Sequence, residues 1–111
     1  MQLLLHESAQ RTGTGDGPDV IEPNLKVSGL IVNVSQISTN LLGSITIKVQ
    51  HSADGNTWFD VPNLATTGLT ATGNVFVGLS SPFITSNYLQ IAYTFANSNS
   101  ITFAAYIVGE K

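Results

Sequence analysis

The sequence predicts an all-β fold: a two-layer antiparallel β-sandwich, jelly-roll or Ig-like, with seven to eight strands and an extended N-terminal arm. Three observations support this prediction. β-branched and aromatic residues alternate with polar residues in several short segments. Clusters of Gly, Pro, Asn and Ser separate these segments. Finally, no long window repeats with the helical period of about 3.6 residues, and helix-forming residues are scarce.

The chain of 111 residues has the length of one domain. We predict an N-terminal strand and extended arm over residues 1–23 and the sandwich domain over residues 24–111. The segment Gln2–Glu7 is typical of a short strand that pairs either with its own domain or with a neighbouring subunit. From Arg11 to Pro23 the chain is rich in Gly, Pro and acidic residues, which is typical of a loop or arm.

The predicted strands of the domain share a period of two residues. The alternation is clearest in 43–52, where Ile45, Ile47 and Val49 point to one face and the residues between them to the other. The other predicted strands are 25–37, 57–61, 74–79, 88–96 and 100–108.

Turn residues set the predicted connections between these strands. Ala53–Asn56 contains Asp-Gly, which tolerates the positive φ of a tight hairpin. Asn97–Asn99 is predicted to be a second, polar hairpin turn. Residues 62–74 form a long connection, from which Leu64 and Leu69 are expected to reach the core.

Charge is scarce in this chain. Charged residues are 10% of the sequence and the net charge is −3, whereas a typical soluble domain has about 25% charged residues. The polar surface must therefore consist of Ser, Thr, Asn and Gln, which suits a protein that packs closely against neighbours. Only four residues are basic, so no basic stripe can neutralise a run of phosphates, and we expect no nucleic-acid partner.

The same composition limits other classes of partner. Cysteine is absent, so disulfides and thiolate metal sites are excluded. No apolar run approaches the roughly 18 residues of a transmembrane helix, and the first residues lack the basic and apolar regions of a secretory signal. We therefore expect no membrane partner.

No catalytic group is predicted. His6 and His51 lie in separate strands without a carboxylate or serine at a motif spacing, and His51 is expected to be a histidine at the rim of the core. Asp54-Gly55-Asn56 resembles a fragment of a calcium loop, but only one acidic residue precedes the glycine. The sequence therefore predicts no metal, no cofactor and no enzymatic activity.

Two groups of residues are predicted to contact partners. Trp58 is either a core side chain or, with Asp54 and Asn56 beside it, a platform for a ligand such as a sugar ring. The acidic residues of the arm either keep a loop solvated, gather a divalent cation or face a basic patch on a partner. The predicted partner interface consists of Leu3, Leu5, Arg11, Asp16, Asp19 and Glu22.

Several motifs together resemble small structural proteins of tailed bacteriophages. They are the Thr-Gly arm that begins at Thr12, the segment Lys48-Val-Gln-His-Ser-Ala-Asp-Gly-Asn-Thr-Trp-Phe-Asp-Val61, and the closing pair that begins with Tyr88-Leu-Gln-Ile and ends in Gly-Glu-Lys111. The resemblance spans most of the chain. Gln90 departs from it, because many relatives carry Arg at that position.

The resemblance implies a non-enzymatic virion protein that is made in the host cytoplasm and resides on the capsid surface. It implies first a capsid decoration, or cement, protein that stabilises the phage head through symmetric surface contacts. Its partners are then the major capsid protein or other virion proteins, and it is a homo-oligomer on the particle, a trimer being one option. The alternative is a carbohydrate- or receptor-binding module on a phage tail or capsid.

Overall fold

The computed structural model describes all 111 residues, and every regular element in it is a β-strand. No helix is present that has the length and apolar character needed to cross a membrane. In chain order the strands are β1 (Gln2–Arg11), β2 (Gly15–Asp16), β3 (Val20–Ile21), β4 (Lys26–Ser52), β5 (Phe59–Ala65), β6 (Gly73–Ile84) and β7 (Tyr88–Glu110).

The two long strands β4 and β7 form the spine of the molecule. They pair antiparallel along nearly their whole lengths, from Lys26 opposite Glu110 to Ser52 opposite Tyr88. Their sequences place an apolar residue at every second position over 30–34, 45–49, 89–95 and 101–107, so one side of the ribbon is apolar along these segments.

The β4–β7 pairing contains four register shifts, and the largest lies near the middle of the ribbon. Thr39 pairs with Ser98 and Ser44 pairs with Ala96, so residues 40–43 of β4 stand opposite Asn97 alone. We call residues 40–43 together with Asn97 the corner. Extra residues in one strand bend a sheet, and the corner divides the ribbon into two halves that lie on opposite sides of one core.

Each half of the ribbon is the centre of a four-stranded layer. Layer A has the order β1, residues 101–110 of β7, residues 26–38 of β4, and β6. Layer B has the order β2 with β3, residues 88–96 of β7, residues 44–52 of β4, and β5. The two layers therefore belong to one continuous hydrogen-bonded sheet.

The core lies between the layers and draws on both. Its members come from the inward positions of every long strand and include the largest fully buried side chains: Phe103, Leu25, Leu30, Ile45, Ile47, Leu64, Leu89, Ile91, Ile101 and Ile107. The shortest dimension of the molecule is 21 Å. This thickness fits two sheets about 10 Å apart with side chains on their outer faces.

The prediction of an all-β antiparallel fold is confirmed, and so is the burial of Leu64 and Leu69. The connectivity is simpler than in a jelly roll or an Ig-like sandwich, because two strands are shared by both layers. The hairpin turn predicted at Asn97–Asn99 is wrong. Asn97 adopts φ 48 and β7 continues through it without reversing, because each half of β7 pairs with β4 and not with the other half.

The N-terminal region lies along its own domain. β1 pairs with β7 from Gln2 opposite Val108 to Arg11 opposite Ile101, which is the first of the two pairings considered for it. β2 and β3 pair with the other half of β7, and the amide of Gly17 donates to the carbonyl of Ile91 at 2.8 Å. Residues of the predicted arm therefore close one edge of layer B.

Candidate interaction surfaces

The predicted interface residues of β1 face the interior of this domain. Leu5 is only 3% exposed and Leu3 packs against the core. Arg11 donates from Nε to Nε2 of His6 at 3.0 Å, and its guanidinium lies 5.4 Å from the ring centre of Tyr93. A partner therefore cannot contact Leu5 while β1 keeps this position, and Arg11 already has intramolecular partners.

The predicted acidic residues of the arm do not come together. Asp16 accepts a hydrogen bond from Nε2 of Gln90 at 3.3 Å, and Glu22 forms an ion pair with Lys111. Asp19 is exposed. No three His, Asp or Glu side chains are arranged to hold a metal ion. The acidic residues of the arm therefore make separate contacts, one with β7 and one with the C-terminal residue, and do not form a cluster.

His6 is the centre of a buried cluster that fastens β1 to both layers. Its ring stacks on Phe103 with 4.0 Å between the ring centres and meets the edge of Tyr93. Arginine can only donate, so Nε2 of His6 accepts from Arg11 and Nδ1–H donates to the carbonyl of Phe103 at 3.2 Å. Burial, with the charge of Arg11, lowers the pKa of His6, so this histidine is held neutral.

His51 lies at the rim of the core, apart from His6. Its Nδ1 accepts a hydrogen bond from the amide of Ser86 at 3.0 Å, and its ring meets the ring of Phe83 edge-on. Partial burial lowers the pKa of His51. This arrangement matches the structural role that the sequence predicts for it.

The possible ligand platform lies on the turn between β4 and β5. The carboxylate of Asp54 accepts from the amides of Asn56 and Thr57, at 2.8 and 2.9 Å, and from the hydroxyl of Ser52. These bonds, with the Thr57 amide first, lower the pKa of Asp54. The carboxylate therefore shapes the turn, while Asn56 is exposed.

Trp58 is half-buried and lies outside the core, because it precedes the first residue of β5 and has no inward position. The expectation that it fills the core is therefore wrong. The next residue, Phe59, is 63% exposed and was not singled out from the sequence.

The outer face of layer B carries a hydrogen-bonded polar row with one residue from each strand. Gln90 donates to both Asp16 and Gln50, and Gln50 donates to Asp60 at 2.9 Å. Asp60 also pairs with Lys48 at 3.1 Å. The hydrogen bond from Gln50, followed by that from Lys48, lowers the pKa of Asp60. We call Asp16, Gln90, Gln50 and Asp60 the polar row.

The outer face of layer A carries an apolar row in the corresponding place. Phe76 of β6 pairs with Ile31 of β4, Ile31 pairs with Tyr106 of β7, and Tyr106 pairs with Leu4 of β1. Paired residues of antiparallel strands point to the same face. These four residues, the apolar row, therefore cross the whole layer on its outer side.

Phe76 is the most exposed member of the apolar row, at 65%. Its ring lies over Gly29 of the neighbouring strand and against Gly78 of its own, and a Cβ on Gly29 would come within 2.7 Å of the ring. Glycine at these positions lets the ring lie along the sheet. The ring of Phe76 therefore lies low over the two glycines and forms an apolar surface at this end of the row.

The distribution of charge separates the two faces. Between Val61 and Gly109 the sequence has no Asp, Glu, Lys or Arg, so β6 and the layer A half of β7 contribute no charge before Glu110. The acidic and basic residues concentrate on β1, the arm, the turn after β4 and the face of layer B. This long stretch without charged residues is visible in the sequence, and it is the feature that indicates the apolar row.

The fold and its surfaces define a class: an all-β protein of two layers without an assembled reactive cluster, whose two outer faces differ in polarity. No protein-family model matches the sequence, and no curated protein matches it. Chains of solved structures do match the fold.

A chain in the capsid of Ralstonia phage GP4 is 17% identical, and the match covers 99% of this chain and 81% of that chain with a TM-score of 0.51. A chain in the acidic stable capsid structure of Helicobacter pylori bacteriophage KHP30 is 13% identical, with coverages of 97% and 94% and a TM-score of 0.44. At this identity the first match shows a shared fold. The fold of this chain therefore also occurs in a phage capsid structure.

Proposed function

We propose that this chain is a virion structural protein, a capsid decoration protein that binds the major capsid protein through the outer face of layer A. The observation that carries the proposal is the uncharged apolar row across that face. The occurrence of the same fold in a phage capsid structure supports it, as does the sequence resemblance to phage structural proteins.

The apolar row supplies the energy for docking. Complete burial of a Phe side chain contributes about 1.5–3 kcal/mol relative to exposure, and Phe76 still has 65% of its surface in water. No charged group in the row has to lose its hydration when a partner covers it. A flat neutral face therefore favours association with a flat neutral surface.

Each contact is modest, but many copies bound at equivalent sites together stabilise the shell. A capsid offers many equivalent sites, and a decoration protein that bridges two capsid subunits closes each bridge as an intramolecular event. The scarcity of charge on this chain keeps repulsion between neighbouring copies low. The mechanism requires no reacting group.

Cosedimentation tests the proposal. Purified protein is titrated onto capsids of the phage from which its gene comes, and the bound copies are counted by densitometry. We expect saturation at a number that matches the symmetric positions of the shell. Saturation at a few copies per particle would move the protein to a vertex or the tail and contradict a decoration role.

A carbohydrate- or receptor-binding module on a tail or capsid is the second candidate. It is favoured by one observation: Phe59 is exposed next to Trp58 and Asp60, so aromatic and polar groups lie side by side. Titration of glycans into the protein, with Trp58→Ala and Phe59→Ala as variants, tests it. Binding that both variants abolish supports this candidate, and the absence of any glycan binding removes it.

A further inference from the structure

The corner presents two adjacent leucines to solvent. Leu41 is 88% exposed and Leu42 is 95% exposed, which makes them the most exposed large apolar residues of the chain. We call this pair the knob. Single exposed leucines are common on protein surfaces, whereas two neighbours that both project from a bend form a small apolar protrusion.

The knob is held in place by asparagine side chains. Nδ2 of Asn97 donates to the carbonyl of Leu41 at 3.1 Å, and Nδ2 of Asn40 donates to Oδ1 of Asn97 at the same distance. Nδ2 of Asn99 lies within hydrogen-bond distance of Oδ1 of Asn40 and of the hydroxyl of Ser38. The backbone of the knob is therefore fixed at Leu41 before any partner arrives, which lowers the entropic cost of docking.

Leu42 has φ 63, in the left-handed region that disfavours residues with a branched side chain. Next to it, a Cβ at Gly43 would collide with the backbone carbonyl of Asn97. Glycine or asparagine would satisfy the backbone at position 42 with less strain and without an exposed apolar group. Strain of this kind that folding does not require points to a role in recognition.

The same chain offers a cleft that fits an apolar knob. The cleft lies beside β1 and the arm and has a volume of about 360 Å³. Its lining consists of four apolar residues, Leu4, Leu5, Ala9 and Val20, together with Pro18 and the charged residues Glu7 and Arg11 at its rim. A cavity of about 150 Å³ already holds a benzene-sized group, so this cleft has room for the eight carbon atoms of two leucine side chains.

We propose that the knob of one copy inserts into the cleft of a second copy. The contact is heterologous, because two different surfaces of the chain meet, and such contacts close into rings when the rotation allows it. Leu41 and Leu42 provide the apolar group, and Leu4, Ala9 and Val20 provide its receptor. The test of this proposal is separate from that of the docking of layer A, because Leu41, Leu42 and Ala9 lie outside the apolar row and self-association needs no capsid; Leu4 is the one residue common to both surfaces.

A lipid bilayer is the other surface that takes up exposed leucines, and the charges argue against it. Insertion of a short apolar loop into a membrane is normally supported by Lys or Arg close to the lipid headgroups. β4 has no basic residue between Lys26 and Lys48, and β7 has none. The surroundings of the knob are Asn, Ser and Thr, which can hydrogen-bond to the rim of a protein cleft.

Complementation between two variants tests the proposal. The knob variant is Leu41→Ser with Leu42→Ser, and the cleft variant is Ala9→Phe, with Ala9→Leu as a milder form in case the larger side chain prevents folding. Circular dichroism and thermal unfolding establish that each variant is folded. Sedimentation velocity then measures the association of wild type, of each variant alone and of an equimolar mixture.

We expect wild-type protein to associate with rising concentration, and each variant to associate at least 100-fold more weakly. The mixture should form one-to-one pairs, because the intact knob of the cleft variant meets the intact cleft of the knob variant. Three results would overturn the proposal: a wild-type protein that stays monomeric, a mixture that does not pair, or binding of wild type to phosphatidylcholine vesicles that the knob variant loses. Capsid binding without self-association would retain the proposed function and reject the knob contact.

Discussion

The two outer faces of this protein are built on the same plan with opposite chemistry. Each layer has four strands, and on each a row of side chains crosses from one edge to the other. In layer B the row is polar, and its members donate and accept hydrogen bonds among themselves. In layer A the row is apolar and has no partner above it. Docking on the polar row would bury little apolar surface. Docking on the apolar row would remove apolar surface from water, which lowers the free energy.

Under the proposed function, this difference separates the surface that binds a partner from the surface that stays hydrated. Sheet faces that are apolar on both sides tend to aggregate, so a natural protein restricts such exposure to the surface that it uses. Here the charged residues lie on layer B, on the arm, on β1 and at the end of layer A that holds Lys26 and Glu110, and the apolar row contains none. The polar row therefore stabilises the fold of the chain, and we propose the apolar row as the surface for association.

One substitution in each row measures how much that row contributes to the free energy of unfolding. Gln90→Leu should lower the free energy of unfolding by about 1–3 kcal/mol, because Asp16 and Gln50 lose a buried donor. Phe76→Ser, on the exposed apolar row, should lower it by only about 0.5 kcal/mol. Urea unfolding of both variants measures these changes. Equal losses of unfolding free energy would contradict the difference between the polar row and the apolar row.

Acid should loosen layer A before layer B, through His6. The pKa of His6 is lowered in the folded protein, so below pH 6.5 the unfolded chain binds a proton that the folded chain resists. Stability is therefore full above pH 6.5 and falls as the pH decreases below it, by at most about 1.4 kcal/mol per pH unit for this one group. Protonation also places a cation beside Arg11 and ends its hydrogen bond, which weakens the hold on β1.

Amide exchange at pH 7.5 and pH 5 follows this effect strand by strand. We expect β1 amides to lose more protection than β5 amides. The pKa of His51 is lowered as well, so a part of the dependence belongs to it. His6→Phe keeps the stacking on Phe103 and should reduce the pH dependence to the His51 share. An unchanged dependence in this variant would assign the whole effect to His51.

The smallest effect is expected from the ion pair at the end of the polar row. Lys48 and Asp60 are both substantially exposed, and pairs of this kind contribute about 0.5 kcal/mol or less. Asp60→Asn should therefore hardly change thermal unfolding in moderate salt, and it should leave particle binding unchanged. A large loss of binding would show that layer B takes part in docking.

The alternation of residues was sufficient to predict the strands that build the core. Ile45, Ile47 and Val49 are fully buried, as their two-residue spacing predicts, and so is Ile91 in its alternating segment. Local patterns decide this because a strand with one buried face must place its apolar residues at every second position.

The path of the chain between strands could not be predicted in the same way. Asn97-Ser98-Asn99 has a composition that fits a hairpin turn and equally a bend in a continuing strand. The pairing of both halves of β7 with β4 decides between them, and this depends on residues far away in sequence. The same limit hid the knob, because Leu41 and Leu42 are exposed only by virtue of the corner.

The apolar row was missed for a related reason. Ile31 and Phe76 occupy the alternate positions of their strands, which the two-residue pattern assigns to solvent. Only the register shows that they lie side by side with Tyr106 and cross the layer. The interface predicted at Leu3 and Leu5 stays a prediction, and the structure shows that β1, an edge strand with apolar residues, joins the core of its own domain.

Two phenylalanines allow a direct test of the central claim that layer A docks and layer B does not. Phe76 is 65% exposed on the outer face of layer A, and Phe59 is 63% exposed on β5, opposite His51 and away from that face, so the same substitution at either site changes a similar exposed area. We would measure cosedimentation of Phe76→Asp and Phe59→Asp with capsids. The account predicts that Phe76→Asp weakens binding at least 100-fold, roughly 2.8 kcal/mol, while Phe59→Asp binds like wild type. Loss of binding in Phe59→Asp with full binding in Phe76→Asp would contradict it.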